Sequence, residues 1–256
     1  VESTPLGFSG GFPGDFIAQT LEDSNIQSDF VQVDEDTRIN VKLKSGQETE
    51  INAPGPKVTH AQFEQLLSQI RRTTNDDIVI VAGSVPNSIP SDAYAQIAQI
   101  TEKTGAQLVV DAEKDLVETV LPYRPLFIKP NKDELEVMFN TTVKSDEDVI
   151  KYGKEILKKG AQSVIISLGG DGAIYVDQHQ SIKAVNPQGH VVNTVGSGDS
   201  TVAGMVAGLS MGLNIDEAFQ QAVASGTATA FSEDLATRDA IENIKSQVTI
   251  SVLDGE

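Results

Sequence analysis

The residues best suited to chemistry are Gly196, Ser197, Gly198 and Asp199, which lie between a short extended segment and a helix of small, apolar residues. Glycine has no Cβ, so the backbone can turn sharply at Gly196 and Gly198 and direct its N–H groups towards a ligand. The helix dipole adds partial positive charge there, which favours an anion such as a phosphate. Asp199 would then be suited to take a proton from an attacking hydroxyl. The alternative is that Asp199 only caps the helix.

A second candidate site follows a predicted strand, in the sequence Lys129-Pro130-Asn131-Lys132-Asp133-Glu134. Proline ends the strand, and Asn131 and Glu134 stand three residues apart where a helix begins, so both can reach one site. Oxygen ligands of this kind suit Mg²⁺, which is usually also held by waters and substrate phosphates. Asn131 as an ordinary helix cap is the alternative.

Two further strand ends carry polar signals. Ser167 precedes a glycine cluster at positions 169, 170 and 172, which is either a plain hairpin turn before a strand at 173–176 or a ligand-binding loop. Asp111 ends another predicted strand, where it is better explained as a turn residue than as a second base. Because the carboxyl ends of parallel strands share one edge of a sheet, these signals and the Mg²⁺ candidate are expected to lie together.

A predicted two-stranded flap supplies basic residues. Positions 38–44 alternate between apolar and polar side chains, Ser45-Gly46 turns the chain, and positions 48–52 return it. An isolated hairpin is marginal in water, so the apolar face of the flap must meet the body of the protein or another subunit. The opposite face carries Arg38 and Lys42, which could close over an anionic substrate or could simply be solvated.

The elements that must hold these residues alternate along the chain. A strand at 4–8, a tight turn at 10–14 and a helix at 15–22 come first, and the turn is expected to pack rather than to bind phosphate. A capping box, Thr59 with Gln62, opens the next helix. Further strands are predicted at 78–82, 107–111, 126–129 and 163–167, and the helices between and after them at 91–103, 116–120, from 133, and at 145–159. This alternation predicts an α/β fold with a doubly wound, mostly parallel sheet flanked by helices and a small β lid.

The helix that follows the glycine turn has a bare ridge of Gly204, Gly208 and Gly212 at a spacing of four. The ridge is expected to pack against the next helix, at 215–231, whose side chains are also small. The three histidines, His60, His179 and His190, show no metal-ligand spacing and are expected at the surface.

Composition limits the class of protein. The 256 residues are 39% hydrophobic, which is enough for one main domain with a full core. The formal net charge of -18 opposes binding to nucleic acid and to anionic membranes, so a phosphate ligand would need local donors. The chain has no cysteine and no apolar run that could span a membrane, so a cytoplasmic protein is expected.

Taken together, the motifs resemble those of the ribokinase-like (PfkB) carbohydrate kinases. The sequence from Asn193 to Ser200 is similar to the carboxyl-terminal signature of that family. Other blocks resemble family motifs in the same order, and they are Gly7-Phe8-x-Gly10-Gly11, Thr37-Arg38, Thr49-Glu50-Ile51-Asn52 with Pro54-Gly55-Pro56, Gly83-Ser84-Val85-Pro86, Lys129-Pro130-Asn131-x-x-Glu134 and Ser167-Leu168-Gly169-x-x-Gly172. The signature usually has Asp where this chain has Asn193, and Asn193 together with the Thr49 to Pro56 block resembles the branch that acts on ketohexose phosphates.

The resemblance implies ATP-dependent phosphoryl transfer and a role for each matching residue. Asp199 would be the general base, and the amides from Gly196 to Asp199, including those of Ser197 and Gly198, would be the anion hole. Asn131 and Glu134 would govern Mg²⁺, and Arg38 and Ser84 would contact the sugar phosphate. The positions that match the nucleotide site are Lys129, Asn131, Ser167, Gly169, Gly172, Thr194, Val223 and Thr227.

The resemblance also implies a single kinase domain over residues 1–256, with 38–52 as part of a β lid through which a homodimer forms. A monovalent cation is a further cofactor that the resemblance implies as an option. Family members begin with a strand that bears a sugar-binding Asp and with further lid strands, and these are expected to be missing here. Fructose 1-phosphate is the favoured substrate, with tagatose 6-phosphate and fructose 6-phosphate as alternatives. A nucleotide-binding protein without kinase activity is the alternative from another class.

Overall fold

The computed structural model describes residues 1–45 and 47–255, with residues 42–45 and 47–50 described as backbone only. The chain divides into two units. The larger contains Asp76–Gly83 and Ala106–Glu256 together with Val1, and the smaller contains Glu2–Asn75 and Ser84–Gly105. Within the described part of the chain, no helix is long and apolar enough to cross a bilayer.

In its described residues, the smaller unit contains two small sheets and three helices. Strand β1 (Phe8–Ser9) leads into helix α1 (Gly11–Asp23) and pairs in parallel with β2 (Val31–Gln32). Strands β3 (Val41–Ser45) and β4 (Gln47–Ile51) form an antiparallel hairpin, whose predicted turn residue Gly46 lies outside the described residues. Helix α2 (His60–Ile70) starts at the predicted capping box of Thr59 and Gln62, and α3 (Ala93–Thr104) ends at Gly105, where φ is 83°.

The larger unit is built on one seven-stranded sheet. Its strands, in spatial order, are β11 (Thr249–Gly255), β10 (Gln180–Val185), β9 (Ala173–Val176), β8 (Val164–Ser167), β7 (Phe127–Ile128), β6 (Gln107–Asp111) and β5 (Ile78–Ala82). The neighbours from β5 to β8 pair in parallel, and those from β8 to β11 pair antiparallel. Strand β5 is joined to β6 through α3, β6 to β7 through α4 (Lys114–Val120), and β7 to β8 through α5 (Lys132–Phe139) and α6 (Asp146–Lys159).

Helices pack on both faces of the central strands of this sheet. Neighbouring residues of a strand point to opposite faces, so their contacts show what covers each face. Ile165 and Tyr175 belong to a core cluster that includes Met205 of α7 (Ser197–Ser210) and Phe219 of α8 (Ile215–Ala230). On the other face, a Cβ built on Gly153 of α6 would lie 3.0 Å from a methyl group of Val176. Helix α9 (Arg238–Lys245) follows α8 and leads to β11.

Helices α7 and α8 are in close contact through their small residues. A Cβ added to Gly204 would lie 2.9 Å from Ala222 Cα, and one added to Gly208 would lie 2.8 Å from Ala218 Cα. The predicted packing of the glycine ridge is therefore confirmed for these two positions. At Gly212 nothing lies within 4 Å of an added Cβ, because this glycine ends the helix with φ at 77°. The three histidines are exposed, as predicted.

Several element predictions were wrong, mainly at positions where the pattern was short. Strand β1 has two residues instead of five, and the predicted turn at 10–14 is the first part of α1. Strand β3 begins at Val41, so Arg38 precedes the hairpin instead of sharing a face with Lys42, whose side chain is not described. Strand β5 has the predicted bounds but only half-buried and exposed residues, because β6 is its only partner among the described strands.

Candidate active site

Two charged residues meet where parallel strands end. Val109 pairs with Phe127 and Val110 with Ile128, so the next residues in register, Asp111 and Lys129, stand side by side. Lys129 Nζ lies 3.2 Å from Asp111 Oδ2, and the two side chains are 8% and 18% exposed. A pair this deeply buried costs desolvation free energy, so its position at the ligand-binding edge of the sheet suggests a functional use.

The start of α7 lies next to this pair. A Cβ added to Gly198 would lie 3.2 Å from Lys129 Nζ. Gly196 precedes the helix with φ at 76°, in the left-handed region that glycine adopts without strain. The sharp turn predicted there is thus present, and it brings the positive end of the α7 dipole to the Lys129 ammonium group.

Asp199 does not act as the cap of α7. Gly196 occupies the cap position, Asp199 is the third helical residue, and no side-chain cap hydrogen bond forms. The Ser197 amide donates to Thr194 O at 3.2 Å, so it is already engaged. Among the described residues, the amides of Gly198 and Asp199 have no hydrogen-bond acceptor, and they are the members of the predicted anion hole that can serve a ligand.

The pKa of Asp111 depends on its burial and on three neighbouring charges. Burial raises this pKa above its ordinary value, and the Lys129 ammonium group opposes the rise. Asp199 and Glu134 each raise it further by repulsion between like charges. These four side chains therefore share one electrostatic field, and Asp111, Lys129, Glu134 and Asp199 are called the charged cluster below.

Asn131 and Glu134 are joined in a reciprocal capping box at the start of α5. Asn131 N donates to Glu134 Oε2, and Glu134 N donates to Asn131 Oδ1, both at 2.8 Å. The predicted cap is therefore real, and it fixes the Glu134 carboxylate beside the other charges. No group of three or more His, Cys, Asp or Glu side chains in the described parts of the chain could hold a metal alone. This donor set fits Mg²⁺, which needs only one or two carboxylates when substrate phosphates and waters complete its shell.

Three of the predicted nucleotide positions, Ser167, Gly169 and Gly172, lie at the end of β8 and in the turn that follows it. Ser167 forms an isolated bridge with Asn131, and Gly169–Asp171 form a short 3₁₀ turn between β8 and β9. At Gly172, φ is 94° and an added Cβ would lie 1.9 Å from Ala184 O, so only glycine fits there. The glycine cluster thus forms a hairpin turn, which was one of the two predicted alternatives. Its position at the end of β8 is also compatible with the other alternative, a ligand-binding loop.

A neutral network ties this turn to α8. Asn186 Nδ2 donates to Gly169 O at 3.0 Å, and Thr227 Oγ1 donates to Asn186 Oδ1 at 2.8 Å. Thr227 is buried and Val223 belongs to the core cluster, whereas Thr194 is exposed. Gly169, Asn186 and Thr227 are called the neutral network below.

The predicted sugar-phosphate residues belong to the smaller unit. Arg38 and Ser84 are both exposed, and their proposed contacts with a substrate stay predictions.

The sequence pattern did not identify two residues of these groups. Asp111 was explained as a turn residue, although it is the ion-pair partner of Lys129, and the signal was its place at a strand end of the shared edge. Asn186 stood in a segment for which no element was predicted, and nothing in the local sequence connects it with Gly169 or Thr227.

The site combines a helix start that attracts anions, a carboxylate that makes no capping hydrogen bond and a buried ammonium group. This combination is typical of an enzyme that transfers a phosphoryl group to a hydroxyl. Residues 1–240 match the pfkB family of carbohydrate kinases. The chain therefore belongs to this family, and the ribokinase-like fold and the family resemblance are confirmed.

Two relatives within this family have high sequence identity to the chain. Over 253 residues, the chain is 42% identical to a 1-phosphofructokinase of Bacillus subtilis, covering 99% of this chain and 84% of that protein. It is 36% identical over 254 residues to a D-tagatose-1-phosphate kinase of Bacillus licheniformis, again with 99% and 84% coverage.

The fold is also similar to solved structures described as phosphofructokinases. A crystal structure from Staphylococcus aureus, provisionally described as a phosphofructokinase, is 80% identical with a TM-score of 0.92, covering 100% of this chain and 84% of that one. The tetrameric inhibited form of Escherichia coli phosphofructokinase-2 is 28% identical with a TM-score of 0.88, covering 96% of this chain and 82% of that one.

Proposed function

We propose that this protein is a 1-phosphofructokinase, which transfers the γ-phosphoryl group of ATP to fructose 1-phosphate and forms fructose 1,6-bisphosphate. The observation that carries the proposal is the charged cluster at the start of α7, in a chain that belongs to the pfkB carbohydrate kinases. Both curated relatives described above are named for hexose 1-phosphates, which favours fructose 1-phosphate over tagatose 6-phosphate and fructose 6-phosphate.

Asp199 takes the proton from the attacking sugar hydroxyl in this proposal. Its carboxylate is exposed and carries no cap hydrogen bond, so it is available to a substrate. The amides of Gly198 and Asp199 and the α7 dipole stabilise negative charge on the transferring group. Lys129 adds a full positive charge at the same place, and Asp111 orients its ammonium group. Phosphoryl transfer needs positioning and charge stabilisation of this kind more than covalent chemistry.

Asn131 and Glu134 govern a Mg²⁺ ion in the proposed site. When bound with the nucleotide, the ion would neutralise phosphate charge and orient the phosphates. The nucleotide itself is proposed to contact Lys129, Asn131, Ser167, Gly169, Gly172, Thr194, Val223 and Thr227. Dependence on a monovalent cation is a further expectation from the family resemblance.

The sugar phosphate is proposed to contact Arg38 and Ser84, and the β3–β4 hairpin is proposed to be part of a lid. Ile39, Val41 and Ile51 are exposed apolar residues of this region, which supports a homodimer formed through the lid. The tetramer described for Escherichia coli phosphofructokinase-2 shows that a relative assembles into oligomers. A single domain and a cytoplasmic location complete the proposal.

Coupled assays test the substrate directly. The full-length protein would be supplied with MgATP and, separately, with fructose 1-phosphate, fructose 6-phosphate, tagatose 1-phosphate or tagatose 6-phosphate. We expect the highest kcat/KM for fructose 1-phosphate. A higher value for any of the others would replace the substrate in the proposal, and ATP binding without turnover of any of the four would favour a non-catalytic nucleotide-binding protein.

The role of Arg38 has its own test. Arg38→Ala should raise KM for the sugar phosphate more than KM for ATP, because the guanidinium group is proposed to bind the phosphate of the sugar. Arg71→Ala is a matched control, since Arg71 is also in the smaller unit but pairs with Glu64. Equal changes in both KM values, or no change, would remove Arg38 from the substrate site.

A further inference from the structure

The neutral network holds three separate segments of the chain at one point. Gly169 belongs to the turn between β8 and β9, Asn186 follows β10, and Thr227 lies in α8. Asn186 is the central member, because its amide contacts the Gly169 carbonyl group on one side and the Thr227 hydroxyl on the other, at 3.0 Å and 2.8 Å.

The chemistry of the partners fixes which way the Asn186 amide points. A carbonyl oxygen can only accept a hydrogen bond, so the NH₂ group of Asn186 must face Gly169 O. The amide oxygen then faces the Thr227 hydroxyl, whose single proton is shared between Asn186 Oδ1 and Val223 O, each at 2.8 Å. Each bond therefore supports the orientation that the other requires.

The Gly169 turn has few other restraints of this kind. An added Cβ at Gly169 or at Gly170 would meet nothing within 4 Å, so side-chain packing does not hold these two residues. Gly169 has φ at 61°, and glycine loses more conformational freedom on ordering than any other residue. Backbone bonds inside the turn, such as Gly172 N to Gly169 O at 3.2 Å, fix its local shape, and the bond from Asn186 is a side-chain restraint that ties the turn to the residue after β10.

We propose that Asn186 is a positioning residue for nucleotide binding, which holds the Gly169 turn in the conformation that receives the nucleotide. The inference rests on the proposed function, because Gly169 and Thr227 are nucleotide-binding positions only within that proposal. It goes beyond it by assigning a role to a residue outside every motif named above. The cost of ordering the turn is met before the nucleotide arrives, so Asn186 raises affinity without needing to touch the ligand.

Calorimetric titration of the full-length protein with MgADP, in the absence of sugar phosphate, tests this role. Asn186→Ala removes both bonds, and we expect the Kd for MgADP to rise about tenfold. Thr227→Val leaves Asn186 without its second partner and should also raise Kd. The effect of the double variant on Kd should be smaller than the two single effects combined, because the two residues share one hydrogen bond. In steady-state assays, the Asn186→Ala effect should fall on KM for ATP and not on KM for fructose 1-phosphate.

Asn214→Ala is the matched control. Asn214 caps the same helix, α8, and its side chain accepts from Glu217 N at 2.9 Å. Thr227 is roughly 20 Å further along the helix, at 1.5 Å per residue. Loss of this cap should lower the melting temperature but leave the Kd for MgADP unchanged.

An unchanged Kd in Asn186→Ala, with a melting temperature lowered as in Asn214→Ala, would overturn the positioning role. If Asn186→Ala does not fold, Thr227→Val becomes the deciding variant. An unchanged Kd for MgADP in Thr227→Val would then overturn the positioning role. The outcome is separate from the substrate question. A wild-type protein that binds MgADP but does not phosphorylate fructose 1-phosphate would overturn the proposed substrate and leave the role of Asn186 open to the same titration.

Discussion

The charged cluster and the neutral network lie at the ends of strands of one sheet, yet they are built differently. The charged cluster follows the parallel strands β6 and β7 and combines a nearly buried ion pair with two further carboxylates. The neutral network follows β8 and β10, which both pair antiparallel with β9, and consists of an amide, a hydroxyl and a backbone carbonyl group.

The difference follows from what each region is proposed to hold. Charge has to be stabilised where the phosphoryl group moves, and fixed charges in a partly buried site do this well. A nucleotide has to be recognised and then released. Neutral hydrogen bonds can hold the shape of its binding site without a strong electrostatic attraction. Substitutions in each region and between them test this division of roles.

Asp199→Ala should have the largest effect. Removal of a positioned general base typically lowers the rate by ~10²- to 10⁴-fold, and we expect kcat to fall within or beyond that range. Asp216→Ala is the control, because Asp216 is also an acidic residue in the first turn of a helix, α8. It should cost only about 0.3–1 kcal/mol of stability through the helix dipole, with normal kcat. Near-normal kcat in Asp199→Ala would remove Asp199 from the chemistry.

Lys129→Met should lower both activity and stability. We expect a loss of roughly 10²-fold in kcat, because a positive charge at the transferring group is removed. The free energy of unfolding should fall by up to ~3 kcal/mol, because Asp111 is left without its partner in a mostly buried site. The double variant Lys129→Met with Asp111→Asn should regain stability but not activity. Equal stability of Lys129→Met and the wild type in urea unfolding would contradict this account of the pair.

Gly204→Ala tests the packing that connects the two regions, since α7 begins in the charged cluster and α8 carries Thr227. The added methyl group would lie 2.9 Å from Ala222 Cα, which is backbone and cannot move alone. Overpacking of this kind should cost about 1–3 kcal/mol in the free energy of unfolding. Gly170→Ala is the control, because nothing lies within 4 Å of its added Cβ. A stability loss in Gly170→Ala as large as that in Gly204→Ala would show that packing is not the cause.

The pH dependence of stability should change slightly in Asp111→Asn. Because the pKa of Asp111 is raised in the folded protein, mainly by burial, the folded state binds a proton at this site more readily than the unfolded state. This contribution to stability is complete below the unfolded pKa of about 3.9 and is lost as pH rises through the folded value. Relative to the wild type, Asp111→Asn should therefore gain stability from about pH 4 upwards. A constant difference across urea unfolding curves from pH 4 to about 6 would contradict the raised pKa.

Local patterns predicted the elements that depend on neighbouring residues. The capping box of Thr59 and Gln62, the strands at 78–82, 107–111 and 173–176, and the start of α8 at residue 215 all agree with the structure. Each of these is specified within a few residues, by a cap or by an unbroken apolar run. The glycine turn before α7 was equally visible, because glycine adopts the positive φ at residue 196 without strain.

Features that depend on distant parts of the chain could not be predicted in this way. The pairing of Asp111 with Lys129 depends on the register between β6 and β7, and the bonds of Asn186 depend on three segments that meet only in the fold. Helix α9 was also missed, although Thr237 caps it and Ile241 and Ile244 stand three residues apart against the core cluster. The half-exposed state of β5 reflects its position in the sheet, which its apolar sequence does not encode.

The pairing of β10 with β11 has a consequence for how the site forms during folding. Val185 pairs with Thr249, so the chain between them, which includes α7, α8 and α9, is a closed loop. Helices α7 and α8 are adjacent in sequence and can associate early, whereas closing such a long loop costs entropy and delays the last strand. We expect a kinetic intermediate to have a formed α7–α8 hairpin but an unpaired edge on β10. In such an intermediate Asn186, which directly follows β10, would acquire its fixed position only when the loop closes.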